Sequence, residues 1–263
     1  MERKHLRWLP LVIAAISFAV YYFSSDVIVN PVTGTKSRVG LSHKEEMTLG
    51  LQGYQQVLAE SETITSGPQF EMVDRVAKKI IQAASSDGKD FEWKVSLVVS
   101  NEVNAFCLPG GKIVIYTGIL PIAKNDAGLA AVMGHEVAHA TSRHGAQRVF
   151  QEGALDIAVT GIQGSIADMD PEKQRLIMGA IGVGSKFGIL LPYSRSHELE
   201  ADEVGLHYMA KAGYDPEEAV RFWERMRDAG GSKPPEFAST HPNDQKRIDN
   251  LKKIIKNKQL KNK

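Results

Sequence analysis

The sequence predicts an α+β fold that is mostly helical, with one small sheet of about three strands beside a helix that carries the motif H-E-x-x-H. Two observations support this class. Apolar residues recur at helical spacing in the stretches 42–58 and 68–84. Between residues 91 and 117 the period shortens to that of a half-buried strand, and the motif helix follows directly.

The length and the charge limit the classes of protein to consider. A chain of 263 residues allows one large domain or two small ones. The net charge of +1 gives no long-range field for nucleic acid, so we expect no nucleic-acid partner. The single cysteine, Cys107, excludes an internal disulfide.

Residues 1–25 are predicted to be a signal anchor or a signal peptide. Basic residues come first, and the run 8–23 is then free of charge and apolar. The run is slightly short for a spanning helix, and no small-x-small cleavage site follows, which favours an uncleaved anchor. The basic end then stays in the cytoplasm, and everything after Ser24 lies in the cell envelope on the periplasmic, extracytoplasmic side. The alternative is a buried N-terminal helix of a soluble protein.

The rest of the chain is predicted as a linker at 26–41, one domain at 42–255 and a lysine-rich tail at 256–263. The first elements of the domain are expected to be helices at 42–58 and 68–84, a strand at 91–97, and a hairpin of residues 104–108 and 112–117 around Pro109-Gly110-Gly111.

The motif helix carries His135, Glu136 and His139, and Asp126 is its predicted N-cap. On a helix the two histidines lie only about 40° apart around the axis, so both imidazoles can bind one zinc ion. Glu136 can then reach the attacking water. The alternative is a surface helix that happens to carry two histidines.

Two glycine-interrupted apolar stretches follow, at 153–164 and 179–188. They predict either a mobile hairpin that covers a cleft, which we favour slightly, or a close-packed helix pair whose glycines let the backbones approach. Further helices are expected at 195–211, closed by Gly213, at 215–228, and from Pro242 onward.

The third metal ligand is predicted to be Glu198. On a continuous helix His144 would point away from both motif histidines. It is therefore expected at a helix end or behind a ligand. Asp202 lies one turn after Glu198 on the same face and can accept the spare N–H of a ligating histidine. Glu200 and Glu203 are expected to form ordinary acidic surface.

Four motifs in this order resemble the gluzincin metallopeptidases of family 48. They are N-A-F-x-x-P-G-G at 104–111, H-E-x-x-H at 135–139, S-R-x-x-E-x-x-A-D at 194–202 and H-P-x-x-x-x-R-I at 241–248. That family includes the CAAX prenyl protease, the HtpX heat-shock peptidase, Oma-type peptidases and small periplasmic relatives. The resemblance covers residues from about 40 to 255, and with one apolar segment this chain looks most like the periplasmic, singly anchored branch.

The resemblance implies a zincin-type domain that holds one zinc ion per chain with His135, His139 and Glu198. An edge strand of residues 104–108 or 112–117 is expected to bind the substrate backbone, with Asn104, Ala105 and Phe106 as the candidate residues. The resemblance also places His241 beside the metal, with Arg247 near Asp202. There His241 is expected to donate to the oxyanion that forms during catalysis, and the alternative is a residue that only begins a helix. Cys107 is expected to pack in the core, with a metal-gating thiol as the alternative.

The function that follows is a zinc endopeptidase in which Glu136 is the general base. Its expected substrates are unfolded or misassembled proteins of the cell envelope. The alternative is a chaperone or assembly factor that uses the same cleft with little proteolysis. The presence of Glu136 argues against that alternative.

Overall fold

A computed structural model describes residues 7–185, 191–229, 235–241 and 245–257. The fold is α+β and mostly helical, which confirms the predicted class. The helices are α1 (Trp8–Ser24), α2 (His43–Ala59), α3 (Pro68–Ala84), α4 (Leu120–Ala123), α5 (Asp126–Thr141), α6 (His144–Ile166), α7 (Pro171–Ser185), α8 (Leu191–Lys211), α9 (Glu217–Ala229), α10 (Glu236–Thr240) and α11 (Gln245–Asn257). The strands are β1 (Asp26–Val29), β2 (Lys36–Val39), β3 (Thr63–Ile64), β4 (Lys94–Val98), β5 (Ala105–Leu108) and β6 (Lys112–Tyr116).

The chain divides into two compact units. The first comprises Met1–Val29, Thr35–Ser42 and Gly145–Ser196, and the second comprises Asn30–Gly34, His43–His144 and His197–Lys263. In this division residues 145–196 group with the N-terminal segment, and the domain at 42–255 stays a prediction.

In the first unit, α1 packs closely against α6 through glycines. A Cβ on Gly161 would lie only 2.4 Å from the Cβ of Ala14, and one on Gly164 would lie 2.9 Å from Pro10. The ring of Tyr21 stacks on Phe150 with centroids 5.1 Å apart. The glycines of the first stretch therefore let α6 approach α1 closely, whereas residues 186–188 of the second stretch lie outside the described residues.

The segment 26–41, predicted as a linker, contains the two-stranded antiparallel sheet β1–β2. Arg38 on β2 covers the ring of Tyr22 at 3.8 Å and donates to the Ser25 carbonyl at 3.0 Å. These contacts attach the hairpin to the end of α1. The sequence does not predict these strands, because Pro31 and Gly34 between them indicate irregular structure.

Helix α1 has no buried residue. It therefore does not match the alternative of a buried N-terminal helix. Within the described ranges, no helix is both long enough and apolar enough to cross a membrane.

In the second unit, a four-stranded sheet has the order β3-β4-β6-β5. Strands β4 and β6 are parallel, whereas β3–β4 and β5–β6 are antiparallel. The three predicted strands and their hairpin are present, and β3, with two residues, adds a short fourth strand. Strand β4 begins at Lys94 and not at Phe91, whose ring packs against Trp93 with centroids 5.1 Å apart.

Helix α5 packs against β5, α3 and α9 and is buried over most of its length. Its N-cap is Asn125, whose side chain accepts a hydrogen bond from the Gly128 amide at 2.8 Å. Asp126, the predicted N-cap, is instead the first helical residue and pairs with Arg75 at 2.7 Å. A helix so enclosed is a rigid support for the motif that it carries.

The C-terminal helices mostly match the prediction. Helix α8 starts at Leu191, earlier than the expected 195, and Gly213, with a φ of 79°, follows its C-terminal end. Helix α10 was not predicted. The predicted helix start at Pro242, residues 230–234 of the preceding turn and residues 258–263 of the tail lie outside the described residues.

Candidate metal centre

A pair of glycines brings the motif helix α5 close to α8. A Cβ on Gly134 would lie 3.0 Å from the Gly205 carbonyl oxygen, and a Cβ on Gly205 would lie 3.0 Å from the Gly134 carbonyl carbon. Any larger residue would push the two backbones apart. The side chains that follow Gly134 therefore face the acidic side chains one and two turns before Gly205.

The predicted ligands His135, His139 and Glu198 lie together. The Nε2 atoms of the two histidines are 3.1 Å apart, and each lies 3.3–3.4 Å from an oxygen of Glu198. His241 joins this group, since its Nδ1 is 3.3 Å from His135 Nε2 and 3.1 Å from both Glu198 oxygens. One ligand atom from each of the four residues falls within 4.8 Å of the others.

Asp202, the predicted partner of a ligating histidine, contacts the ring of His135. Its Nδ1 lies 3.1 Å from Asp202 Oδ1, on the side of the ring opposite the ligand atom. Burial alone would lower the pKa of His135, but the hydrogen bonds with Asp202 and Glu198 raise it to about 9. Asp202 is 3 % exposed, and its pKa is lowered by Arg247 against the opposing effect of burial. Asp202 therefore remains ionised and accepts the ring N–H.

Arg247 stabilises both acidic residues. Its guanidinium donates two hydrogen bonds to Asp202, at 2.9 and 2.6 Å, and lies 2.9 Å from Glu198. The indole of Trp223 covers it at 4.1 Å. Burial would raise the pKa of Glu198, but the hydrogen bonds with His135, His139 and His241 lower it below its ordinary value. The sequence did not indicate Trp223, because a tryptophan at helical spacing is indistinguishable from core.

Glu136 is buried beside the ligand atoms but is not one of them. Among the described residues, nothing forms a hydrogen bond with its Oε1, which lies 3.4 Å from His241 Nε2. Burial raises its pKa, and the nearby histidines His241 and His135 oppose this increase. A buried carboxylate oxygen with no such bond is placed to accept a proton from a bound water.

The contacts of His139 differ from those of His135, because its Nδ1 faces another imidazole and not a carboxylate. Burial lowers its pKa well below the ordinary histidine value, so its ring is neutral. Its Nδ1 lies 2.9 Å from His144 Nδ1. His144 thus lies behind the candidate ligand His139, and it is also the first residue of α6.

Glu200 is not ordinary surface, contrary to the prediction. Its Oε2 lies 3.0 Å from His144 Nε2, and its Oε1 accepts the Thr33 hydroxyl at 2.5 Å. Glu200 does point away from the ligand side of α8, as its spacing requires. The side of α8 that carries Glu200 faces His144, at the junction between α5 and α6.

The predicted substrate-binding residues lie in and before an edge strand. Ala105 and Phe106 belong to β5, which pairs only with β6 among the described strands, and Asn104 precedes it. Strand β6 lies between β4 and β5, which removes 112–117 as an alternative edge. Cys107, also on β5, packs against the core, and burial raises the pKa of its thiol.

The whole chain is similar to known metallopeptidases. A family model described as Peptidase family M48 matches residues 68–255. The mitochondrial metalloendopeptidase OMA1 of Schizosaccharomyces pombe is 36 % identical over 247 residues, which cover 92 % of this chain and 70 % of that protein. The protein of the same name from Saccharomyces cerevisiae is 29 % identical over 97 % of this chain and 76 % of its own length. The beta-barrel assembly-enhancing protease of Escherichia coli K12 is 27 % identical over 86 % of this chain, which spans 46 % of that protein.

Proposed function

The chain is a metalloendopeptidase of peptidase family M48, and on that premise we propose that its metal is zinc and that it cleaves unfolded or misassembled proteins of the cell envelope. The relatives named above are proteases, which supports polypeptides as substrates and disfavours a chaperone without proteolysis. The Escherichia coli relative is named for enhancing beta-barrel assembly, and only that link to assembly supports the more specific substrate class.

The group formed by His135, His139, Glu198 and His241 is the observation that carries this proposal. Imidazole nitrogens and one carboxylate oxygen are ligands that zinc accepts, and two histidines with one glutamate form a known catalytic set that leaves one position open. Zinc bound there would polarise water and the substrate carbonyl. We propose His135, His139 and Glu198 as the ligands, with one zinc ion per chain.

The chain supplies the proton transfers. Glu136 takes the proton of the attacking water at its buried Oε1 and later passes it to the leaving amine nitrogen. Its raised pKa strengthens it as the base that takes this proton, because a carboxylate of low pKa is a weak base. Asp202 fixes the ring of His135, and Arg247 holds Asp202 and Glu198 in place.

His241 is proposed as the donor to the oxyanion of the substrate. Its ring lies against the ligand atoms, with Nε2 on the side of Glu136. The backbone N–H of His241 is bonded to the Phe237 carbonyl at 2.9 Å, and Arg247 donates to the carbonyl of His241 at 3.3 Å. The backbone of His241 is thus held by hydrogen bonds at both its N–H and its carbonyl, which reduces the reorganisation needed during the reaction.

Strand β5 is the proposed binding site for the substrate backbone. A free strand edge binds an extended peptide through main-chain hydrogen bonds, which carry little sequence preference. Asn104, Ala105 and Phe106 would contribute this edge, next to α5. Loose sequence preference suits an enzyme that removes unfolded proteins of many kinds.

We further propose that the first unit associates with the membrane and that the metal centre lies on the periplasmic, extracytoplasmic side. Large apolar side chains of α1 that are more than half exposed support this: Trp8, Leu9, Val12, Ile13, Ile16, Val20 and Phe23. By helical geometry they fall within about 140° of the helix circumference. Such a surface is unfavourable in water and favourable against acyl chains.

Cleavage of casein, an unfolded substrate, tests the proposed function. The purified protein is incubated with casein as isolated, after removal of metal with a chelator, and after addition of zinc. We expect cleavage that the chelator abolishes and zinc restores, with bound zinc near one ion per chain. Glu198→Ala should lose both the zinc and the cleavage. Cleavage that persists after complete removal of metal would contradict the proposal.

A further inference from the structure

A chain of hydrogen bonds extends from His139 away from the metal side. His139 Nδ1 contacts His144 Nδ1 at 2.9 Å, His144 Nε2 contacts Glu200 Oε2 at 3.0 Å, and Glu200 Oε1 accepts from the Thr33 hydroxyl at 2.5 Å. From these contacts we propose that His144 and Glu200 are positioning residues that hold His139 in the orientation and tautomer needed to bind metal through Nε2. This inference rests on the proposed zinc site.

The proton positions follow from the ligand atom. A neutral imidazole has one N–H and one acceptor nitrogen, so a ring that binds metal through Nε2 carries its proton on Nδ1. That N–H donates to His144 Nδ1, which must then be an acceptor. His144 therefore carries its own proton on Nε2 and donates it to Glu200. One assignment of protons satisfies all three bonds.

The surroundings hold His144 in this place. Its ring is 4 % exposed and stacks on His197 with centroids 4.2 Å apart. Arg143, the residue before it, has a φ of 56°, which turns the chain between α5 and α6 so that His144 faces back toward His139. A positive φ is uncommon for arginine and is retained only where the surrounding structure requires it.

The acceptor end of the chain is also fixed. Thr33 lies in a turn in which the Asn30 side chain accepts from the amides of Val32 and Thr33 at 2.9 and 3.1 Å. The amide group of Asn30 donates to Ser142 at 2.8 Å, at the junction between α5 and α6. Glu200 is therefore bonded on both of its oxygens and cannot turn away from His144 without losing a hydrogen bond.

Each of the two proposed ligand histidines is thus held by a carboxylate, one directly and the other through a second imidazole. Asp202 bonds His135 directly, whereas Glu200 acts on His139 through the ring of His144. Partners that hold a ligating histidine in this way typically change metal affinity by about 10- to 100-fold when they are removed. We expect an effect of that size from His144.

The test compares the zinc dissociation constants of variants, measured by competition with a chromogenic zinc chelator. His144→Leu removes the acceptor and should raise the constant by roughly 10- to 100-fold. His144→Asn places an oxygen near the position of the Nδ1 atom and should return most of the affinity. Tyr208→Phe is the matched control, because it removes a buried hydroxyl bonded to Thr141 and Asp87 without touching a ligand. It should lower stability and leave zinc affinity unchanged.

A second pair of variants covers the case in which His144→Leu does not fold. Glu200→Leu removes the acceptor for His144, whereas Glu200→Gln keeps an oxygen there. Weaker zinc binding in Glu200→Leu than in Glu200→Gln supports the proposal. The proposal is overturned if a folded His144→Leu binds zinc with unchanged affinity, or if His144→Leu and His144→Asn lose affinity equally. Where His144→Leu does not fold, unchanged zinc affinity in Glu200→Leu overturns it. A wild-type protein that binds no zinc would instead overturn the proposed function, and this inference with it.

Discussion

At the scale of single residues, His241 has ring nitrogens that face different partners. Nδ1 lies 3.1 Å from Glu198, within the group that could hold metal, and Nε2 lies 3.4 Å from Glu136. A role as donor to the oxyanion and a role as a fourth ligand make different demands on the same ring. Zinc affinity separates them, because a donor does not contribute to it.

His241→Ala should lower kcat by roughly 10²–10³-fold while zinc affinity stays at the wild-type value, since one lost oxyanion donor has an effect of that size. The measurements are steady-state cleavage of a fluorogenic peptide and chelator competition on the same preparation. Glu236→Ala, an exposed change on the preceding short helix, is the control. A large rise in the zinc dissociation constant of His241→Ala would instead make His241 a ligand.

The grouping of the candidate ligands could be predicted because their spacing on regular helices determines which side chains face one another. His135, Glu136 and His139 share one helix, and Glu198 and Asp202 share another, so a helical wheel describes each set. The role of Glu200 could not be predicted in this way. It depends on the positive φ of Arg143, which follows α5 and turns His144 back toward His139. An arginine does not indicate such a turn in the sequence, because a positive φ is uncommon for this residue type.

At the scale of secondary-structure elements, the crossing of α5 and α8 determines the distances in the metal centre. Gly134 immediately precedes His135, and Gly205 lies one turn after Asp202. Each glycine lies at the van der Waals limit of the other backbone. The ligand distances therefore depend on a contact that involves no side chain.

Gly134→Ala should destabilise the fold by about 1–3 kcal/mol, the usual cost of overpacking, because its Cβ would lie 3.0 Å from the Gly205 carbonyl. It should also lower kcat/KM, because it moves His135 relative to Glu198. Urea unfolding and peptide cleavage measure the two effects.

Gly179→Ala on α7 is the matched control, since nothing lies within 4 Å of the added Cβ. It should stabilise the protein by about 0.5–1 kcal/mol through the reduced entropy of the unfolded chain. Equal effects of the two substitutions would show that the helix crossing is not tight.

The elements that the sequence did not predict are those with little periodicity to detect. Strand β3 has two residues, and β1 and β2 have four each. In contrast, α3 has the predicted bounds, because several apolar residues follow one helical face. Asn125 rather than Asp126 caps α5, a shift of one residue that only the cap geometry reveals.

At the scale of the whole molecule, the two units have different surfaces. The first unit exposes the apolar face of α1, whereas the second encloses the metal centre in a core built on the four-stranded sheet. Under the proposed function, the first unit contacts lipid and the second cleaves polypeptide.

Ile16→Lys should weaken sedimentation with vesicles of phosphatidylethanolamine and phosphatidylglycerol, because it places a charge in the apolar face of α1. Leu176→Lys, which adds the same charge at an exposed leucine of α7, is the matched control and should sediment like the wild type. Equal sedimentation of Ile16→Lys and the wild type would rule out α1 as the lipid-binding element.

The central claim is that Glu136 transfers protons in a reaction that needs bound metal, and one comparison tests it most directly. Glu136→Gln has the same shape but cannot accept the proton. Both proteins are loaded with zinc, their metal content is determined, and their cleavage of casein is measured side by side. We expect equal zinc and equal stability, with turnover of Glu136→Gln lower by roughly 10²–10⁴-fold, as for a lost general base. Casein cleavage by Glu136→Gln at the wild-type rate would contradict the proposed mechanism.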